Sequence, residues 1–526
     1  MDIKLITNIL FALSAIALML IEIKWDMQMM QQNSYRNERF TKWLKTSSEY
    51  ASSGRLMNLV MLMLALSTFM DSWIVEIILS VAIIAKCISA LKKKYKKPLV
   101  FTRRVLRLYI TESLALIAIS VLVGFLRNQV FEIGLISLFV STFSYMATLA
   151  FNNLLKPVEQ FINDKYVKDA KRILAQMPDM KIIGITGSYG KTSTKHYLYR
   201  ILSEKYSVLM TPGSYNTPMG VVRTVREMLQ PYNDVFIVEM GAKNIGDIKE
   251  ICDIVHPQMG IVTAVGAQHL ESFKTIENVQ RTKFELIDAL PSDGFAVINN
   301  DFEYVANRKV DNVEVKRYTV MPKDAGDYHV EDISYSASGT QFTIVGCDKR
   351  IELTTRLVGE CNISNLLAAV IIAMKLGVEE QKIKYAVSRI EQVEHRLNIK
   401  RTSTGITIID DAFNSNPDGS RMALDVLAGM TNGKRIVITP GMIELGSKQE
   451  YFNELFGEHI ASACDIAIIV GQYNRESIVK GMNRKGMDKS KIHTVSTFAE
   501  AQKLMLSLAK AGDAVLYEND LPDSFK

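Results

Sequence analysis

A lysine and a threonine, Lys191 and Thr192, follow three glycines spaced three apart, Gly184, Gly187 and Gly190, at the end of an apolar run. The run Ile182, Ile183 and Ile185 predicts a buried strand, the glycines a turn, and Lys191 the start of a helix. That order suits a phosphate group. Glycines let backbone N–H groups approach the oxygens, the helix N-terminus adds positive potential, a lysine reaches the outer phosphates, and a hydroxyl holds Mg²⁺. Thr186, Gly187, Ser188, Gly190, Lys191, Thr192 and Ser193 are therefore the candidate nucleotide-binding residues. The spacing is unusual, because the common form G-x-x-x-x-G-K-[ST] calls for glycine at 185, where Ile185 stands.

A second signal is Val235-Phe-Ile-Val-Glu-Met-Gly241, a buried strand ending in a carboxylate one β-unit after the phosphate loop. Glu239 is placed to bind Mg²⁺, a hard ion that takes oxygen ligands. Ala267-Gln-His-Leu-Glu-Ser-Phe273 and Arg281-Thr-Lys-Phe-Glu285 follow. His269 and Lys283 within them carry no signal alone, since a lone histidine is more often structural and a lone lysine more often solvated.

These residues need a scaffold, and the pattern supplies one. From Lys181 onward, short apolar runs alternate with helical stretches: Val235–Val238, Gly260–Val265, Ala296–Ile298, Ile436–Thr439, Ile466–Val470 and Ala514–Tyr517. Such runs read as buried parallel strands. Val330–Leu357 alternates instead and predicts an antiparallel insertion. Two α/β units result, 181–395 and 396–526, meeting near Glu394-His-Arg396.

The first part of the chain differs in kind. Hydrophobic residues make up 48% of the 526 residues and concentrate before residue 152. Ile3–Ile23 is long enough to cross a bilayer and lacks the cleavage motif of a signal peptide. Leu56–Met70, Trp73–Ala90, Leu106–Leu126 and Val130–Phe151 follow, giving about five spans over 1–152, or four, with the second and third runs as a tight helical hairpin. The net charge of +6 comes with basic residues bunched between apolar runs, which reads as membrane-flanking charge rather than a nucleic-acid surface. The first loop (Lys24, Arg36, Arg39, Lys42, Lys45, Arg55) and the third (Lys92, Lys93, Lys94, Lys96, Lys97, Arg103, Arg104) carry this charge. The N-terminus is then outside and everything after the last span cytoplasmic, a multi-pass cell-membrane protein with its α/β domains in the cytosol. Glu76, Lys86 and Glu112 lie in or near apolar runs and receive no role; Lys86 reads as a snorkelling charge. Residues 153–180 predict a helical linker. The five cysteines are scattered, without the spacing of a zinc site or disulfide framework.

Taken together, residues 180–520 resemble the Mur ligase family, ATP-dependent enzymes that form amide bonds in peptidoglycan assembly. The shared stretches are Thr186-Gly-Ser-Tyr-Gly-Lys-Thr-Ser193, Gly213-Ser-Tyr-Asn-Thr-Pro-Met-Gly220, Val238-Glu-Met-Gly-Ala242, His269-Leu-Glu-Ser-Phe273, Asp410-Asp-Ala-Phe-Asn-Ser-Asn-Pro417 and Met442-Ile-Glu-Leu-Gly446. Within the family they are closest to the branch that adds a D-alanyl-D-alanine dipeptide. The resemblance implies a phosphate-loop central domain and a Rossmann-like C-terminal ligase domain. It also implies roles. Lys191 would hold the ATP phosphates. Thr192, Glu239 and His269 would bind Mg²⁺, and Lys283 would take up CO₂ as a carbamate that holds a second Mg²⁺. Lys191, His269 and Lys283 make up the catalytic set. Asn365, with Asn300 and Asp301, would lie near adenine, Asp411 at the ribose, and Arg396 at the phosphates when the domains close. Asn216, Thr217, Asn414 and Asn416 would face the substrates.

Three departures stand out. Cys361 replaces a histidine in Gly359-Glu-Cys-Asn362. Tyr517-Glu-Asn-Asp-Leu-Pro-Asp523 stands where the resembled branch has Lys-Gly-Ser, near the amine substrate. Apolar helices occupy the place of the small domain that grips a UDP-sugar. The expected function is a membrane-anchored ligase working through an acyl phosphate. It would join an amino acid or dipeptide to a carboxylate on a lipid- or glycan-linked cell-wall or surface-polymer precursor. A poly-γ-glutamate synthetase-like ligase shares the chemistry. An ABC-type transporter is disfavoured by the glycine spacing and by the lack of an LSGGQ-like signature, and a catalytically dead scaffold by the retained site residues.

Overall fold

The computed structural model describes residues 3–67, 72–93, 95, 97–127, 129–320, 326–336, 339–413, 415–430 and 432–521. It divides into two compact units, Met1–Asn163 and Asp164–Asp520.

The first unit is built of helices: Ile3–Gln32, Asn37–Thr46, Ser53–Ser67, Trp73–Lys92, Arg103–Leu126, Val130–Thr142 and the start of Ser144–Ala175. The described residues of the five apolar segments expected from the sequence are helical, apart from a break at Phe143, but the helices are not equal. Ile3–Gln32, Trp73–Lys92 and Arg103–Leu126 are long and apolar enough to cross a membrane. Val130–Thr142 and Ser144–Ala175 would make a fourth span only as a pair, bent by 80° at their break. Ser53–Ser67 has 15 residues, about 22 Å of helix against a hydrocarbon core of roughly 30 Å. Phe11, Leu18, Met61, Leu79, Ile83 and Leu138 form the apolar centre.

Several buried charged groups inside this bundle have partners. Lys86 does not snorkel. Its ammonium lies 2.9 Å from Glu22 and donates to the Gly54 carbonyl at 2.7 Å and to the Asn58 amide oxygen. Arg55, counted above with the loop charges, is buried against buried Asp26 at 2.5 Å. Thr148 donates to Glu112 at 3.0 Å. Ionisable groups survive in apolar surroundings by such pairing.

The second unit holds two sheets. The first has nine strands in the order β2-β3-β1-β4-β5-β6-β7-β8-β9. Here β1 is Lys181–Thr186, β2 Val208–Met210, β3 Val235–Glu239, β4 Met259–Val262, β5 Phe295–Asn299 and β6 Glu314–Thr319. The strands β7 Tyr328–Ser336, β8 Gly339–Gly346 and β9 Lys349–Thr355 complete it. Pairing is parallel as far as β7 and antiparallel from β7 to β9, where the alternating Ser/Thr/Tyr pattern predicts an insertion.

Alternation along β1 sorts its side chains. Ile183 and Ile185 pack beneath the helices Lys191–Leu202 and Glu360–Lys375, with Leu198, Leu366 and Val370. Ile182 faces the opposite layer of Phe236, Val238, Ile251 and Phe284. Gly184 points the same way, and a Cβ there would run into Leu286. The first of the three spaced glycines therefore serves sheet–helix packing, and only Gly187 and Gly190 belong to the loop.

The second sheet has six strands in the order β10-β11-β15-β12-β13-β14. These are β10 Asn398–Arg401, β11 Thr407–Asp411, β12 Arg435–Thr439, β13 Ile466–Val470, β14 Ile492–Val495 and β15 Ala514–Glu518. All pairs are parallel except β10 with β11. The helices Pro417–Ala428, Gln449–Ala463, Arg475–Arg484 and Phe498–Leu508 pack on this doubly wound sheet.

Candidate active site

The carboxyl ends of β1, β3 and β4 open into one crevice, the usual ligand position in a parallel sheet. The loop after β1 turns through Gly187 (φ 151°) and Gly190 (φ 83°). A Cβ at Gly187 would collide with Thr263, and one at Gly190 with the Asn365 amide. Only glycine fits both places. The helix Lys191–Leu202 starts directly after the turn.

Lys191 curls back over the loop and donates to the carbonyls of Gly187 at 2.6 Å and Ser188 at 3.1 Å. Burial pushes its pKa down to about 8, with Arg396 adding to the fall and Glu239 opposing it. Thr186 and Ser188 hold the frame. Thr186 donates to the Met240 carbonyl at 3.0 Å, while Ser188 donates to the Gly266 carbonyl at 3.2 Å and accepts from the Gly266 N–H at 3.0 Å. Ser193 lines the cavity described below.

At the end of β3, Glu239 is buried and held from three sides. Thr192 donates to it at 3.2 Å, Asn216 at 3.1 Å, and the Lys195 ammonium stands 3.0 Å away. Burial alone would raise the Glu239 pKa, but Lys195 and Lys191 outweigh it and hold the carboxyl below its ordinary value. Lys195 is missing from the sequence-based set. It is buried and also donates to the Gly213 carbonyl at 2.6 Å. The signal for it was available: four residues after Lys191, it shares that residue's helix face. Thr217 caps the helix Pro218–Met228 by accepting from the Gly220 N–H at 3.3 Å.

His269 follows β4 in the left-handed region (φ 54°). Its Nδ1 is hydrogen bonded to Glu444, a residue of the second sheet's domain. Glu444 is also in the left-handed region (φ 63°) and lies 3.1 Å from the Lys243 ammonium. Burial lowers the His269 pKa, and the charges of Lys243 and Lys283 add to this against the pull of Glu444. Lys283, on the helix Ile276–Asp288, is buried. Burial first, and then the charge of Lys191, hold its pKa well below the usual lysine value. Lys283 thus feels the charge of Lys191, and His269 that of Lys283.

The donor set fits a hard cation in part. Thr192 and Glu239 offer adjacent oxygens, and His269 keeps Nε2 for a ligand because Nδ1 is taken. Among the described residues no three His, Cys, Asp or Glu side chains converge as a metal-binding group. Lys283 would supply the missing anionic ligand only as a carbamate.

A cavity of about 1350 Å³ lies between the two sheets' domains, lined among others by Tyr189, Asp301, Cys361, Asn365, Arg396 and Asp411. Asn365 accepts from Thr194 at 3.2 Å. Asp301 lines the cavity with Asn299, whereas Asn300 does not, since Arg317 donates to its side chain at 2.9 Å. Arg396 stacks 4.5 Å from the Phe413 ring centroid and donates to the Phe413 carbonyl at 2.9 Å. Asp411 pairs in register with Glu518 across β11 and β15. Burial pushes Asp411 up to about 6, and burial with the Asp411 charge holds Glu518 well above a normal glutamate. The stretch 517–521 thus puts a buried carboxyl behind Asp411. Asn416 lines the cavity and caps the helix Pro417–Ala428, accepting from the Gly419 N–H at 3.0 Å. Asn414 lies outside the described residues. Tyr189 and Asp418, absent from the sequence-based set, join the two domains by a 3.2 Å hydrogen bond.

Comparison with known proteins agrees with this architecture. Residues 185–373 match the Mur ligase middle domain, and residues 395–517 match the glutamate ligase domain of Mur ligases. The UDP-N-acetylmuramoyl-tripeptide–D-alanyl-D-alanine ligase of Bacillus subtilis is 28% identical over 344 residues, covering 64% of this chain and 72% of that protein. Its Escherichia coli counterpart is 28% identical over 340 residues, covering 64% and 75%. Among solved structures, MurF from Acinetobacter baumannii superposes with a TM-score of 0.62 at 24% identity, over 68% of this chain and 77% of that one. The MurF ligase of Thermotoga maritima in complex with ADP gives 0.60 at 25% identity, over 68% and 80%.

Proposed function

We propose, from the premise that this chain belongs to the Mur ligases through its middle and C-terminal domains, that it joins a carboxylate to an amine at the expense of ATP. The observation that carries this reading is the cluster of Lys191, Thr192, Glu239 and buried Lys283 after a glycine-turn strand, beside a two-domain cavity that Gly190 and Ser193 of the same loop line.

The chemistry runs in two steps. A substrate carboxylate oxygen attacks the γ-phosphorus of ATP, the bond to the β-phosphate oxygen breaks, and ADP leaves behind an acyl phosphate. An amine then attacks the acyl carbon, inorganic phosphate departs, and the amine loses a proton. Lys191 and the loop N–H groups hold the phosphates and oppose the charge that builds up during transfer. Asn365 and Asp301 bound the adenine end of the cavity, Asp411 the ribose, and Arg396 approaches the phosphates from the C-terminal domain. Thr192, Glu239 and His269 would hold Mg²⁺, which would supply neutralisation of the phosphate charge. Lys283 takes up CO₂. Its depressed pKa favours the neutral amine, the form that attacks CO₂ and releases a proton to give the carbamate.

The acceptor is a peptidoglycan-type precursor delivered at the membrane, and the donor an amino acid or dipeptide. Three apolar helices of spanning length ahead of the ligase domains support the membrane anchor; crossings by Ser53–Ser67 and by the bent pair as well would put both basic loops and the ligase domains on the cytoplasmic side. ADP release by the full-length protein, screened over amino acids and dipeptides with membrane extract as acceptor, tests this. Release that depends on both an amine and the extract is the expected result. Equal turnover of a soluble UDP-linked acceptor by a form starting near residue 155 would refute membrane delivery. Full activity in Lys191→Ala would refute the ligase reading.

A further inference from the structure

The hydrogen bond between His269 and Glu444 crosses the domain boundary. Glu444 lies on the loop after β12, which Asn453 fastens by accepting from the Met442 N–H at 2.9 Å and donating to the Met442 carbonyl at 3.0 Å. The loop reaches over the first sheet and places one carboxylate between two of its loops, touching Lys243 four residues after Glu239 and His269 after β4. A backbone bond from the Glu271 N–H to the Glu444 carbonyl, at 3.2 Å, fixes the approach. Both partners of the histidine contact have positive φ, at 54° and 63°. Non-glycine residues keep that conformation where surrounding contacts over-determine it, and such positions cluster at functional sites.

A carboxylate on one ring nitrogen of histidine fixes the tautomer and the ring plane and leaves the other nitrogen for a ligand. We propose that Glu444 is a positioning residue. It holds His269 with Nδ1–H directed at the C-terminal domain and Nε2 at the phosphate crevice, so the crevice is complete only while the C-terminal domain is docked. This rests on the functional reading above. Lys243 steers the carboxylate but does not touch the ring.

The test uses the full-length protein in detergent, with Mn²⁺ and ADP as probes followed by electron paramagnetic resonance, alongside kcat and KM for ATP. Loss of an outer partner of this kind lowers metal affinity or activity by about 10- to 100-fold. Glu444→Ala is expected to weaken Mn²⁺ binding and lower kcat within that range, with KM for ATP within about two-fold. Glu444→Gln keeps an oxygen acceptor for Nδ1–H and is expected to restore most of both; it also serves if Glu444→Ala does not fold. Lys243→Ala is expected to stay within a few-fold of the unaltered protein. Unchanged Mn²⁺ binding in Glu444→Ala would overturn the proposal. So would a Glu444→Gln as impaired as Glu444→Ala, or a Lys243→Ala equal to either, which would make the contact a domain clamp. Failure of the unaltered protein to bind Mn²⁺ with ADP would instead refute the ligase reading.

Discussion

Two buried lysines carry the strongest residue-level consequences. For Lys191 the folded pKa of about 8 lies below the usual 10.5. The unfolded chain therefore holds more protons between those values, and stability rises with pH across that window. Thermal unfolding of the nucleotide-free protein between pH 7.5 and 10 should show an upward trend that Lys191→Met reduces. For Lys283, activity should fall in CO₂-depleted buffer and return with bicarbonate. Lys283→Ala should lose activity by about 100-fold, the order expected on removing one main electrostatic group, and should not respond to bicarbonate. Activity indifferent to CO₂ in the unaltered protein would remove the carbamate from the mechanism. The phosphate loop and Glu239 were legible in the sequence because each is local: a strand end, a glycine turn, a helix start. The partners of His269 were not, since Glu444 is 175 residues away. Asn300 illustrates a finer limit. The strand β5 ends at Asn299 and a turn follows, in which the Asp301 N–H donates to the Asn299 side chain at 2.9 Å, so these two line the cavity together while Asn300 turns to Arg317.

At the level of elements, the loop after β1 is held by backbone geometry and by what crowds it. Gly190→Ala meets two obstacles, the positive φ of 83° and the Asn365 amide. Asn365→Ala would remove the collision but not the backbone cost of about 1–2 kcal/mol. Calorimetry should find ADP binding weakened at least ten-fold by Gly190→Ala, and the double variant still weaker than Asn365→Ala alone. Equal binding by those two would mean that crowding alone requires the glycine. The helical elements of the first unit pose a charge question. Asp26 and Arg55 are both buried. Removing one partner of a buried pair typically costs 3–5 kcal/mol, whereas replacing both with apolar groups is often neutral. Arg55→Met should therefore lower the melting temperature of the detergent-solubilised protein sharply, and Asp26→Leu with Arg55→Met should restore much of it. The parallel strands were readable as apolar runs, and the antiparallel insertion as alternation. The second apolar run was already readable as short, but the bend after Val130–Thr142 was not, because hydropathy reports composition and is silent on where a helix breaks.

For the molecule as a whole, an apolar helical unit and a two-domain ligase unit share one chain. A form beginning at residue 164 should bind ADP as tightly as the full chain but fail to use an acceptor supplied in membranes; equal use of that acceptor would leave the helices without a part in substrate delivery. The ligase unit has a further property that follows from chain order. Its histidine at position 269 is gripped by a glutamate made 175 residues later. A nascent polypeptide that has reached only the end of the helix Glu360–Lys375 would own the phosphate loop and the helix packed over it, yet lack the hand that steadies this ring. Interrupted synthesis would then yield a fragment without the Arg396, Asp411 and Glu444 side of the crevice, and so without turnover.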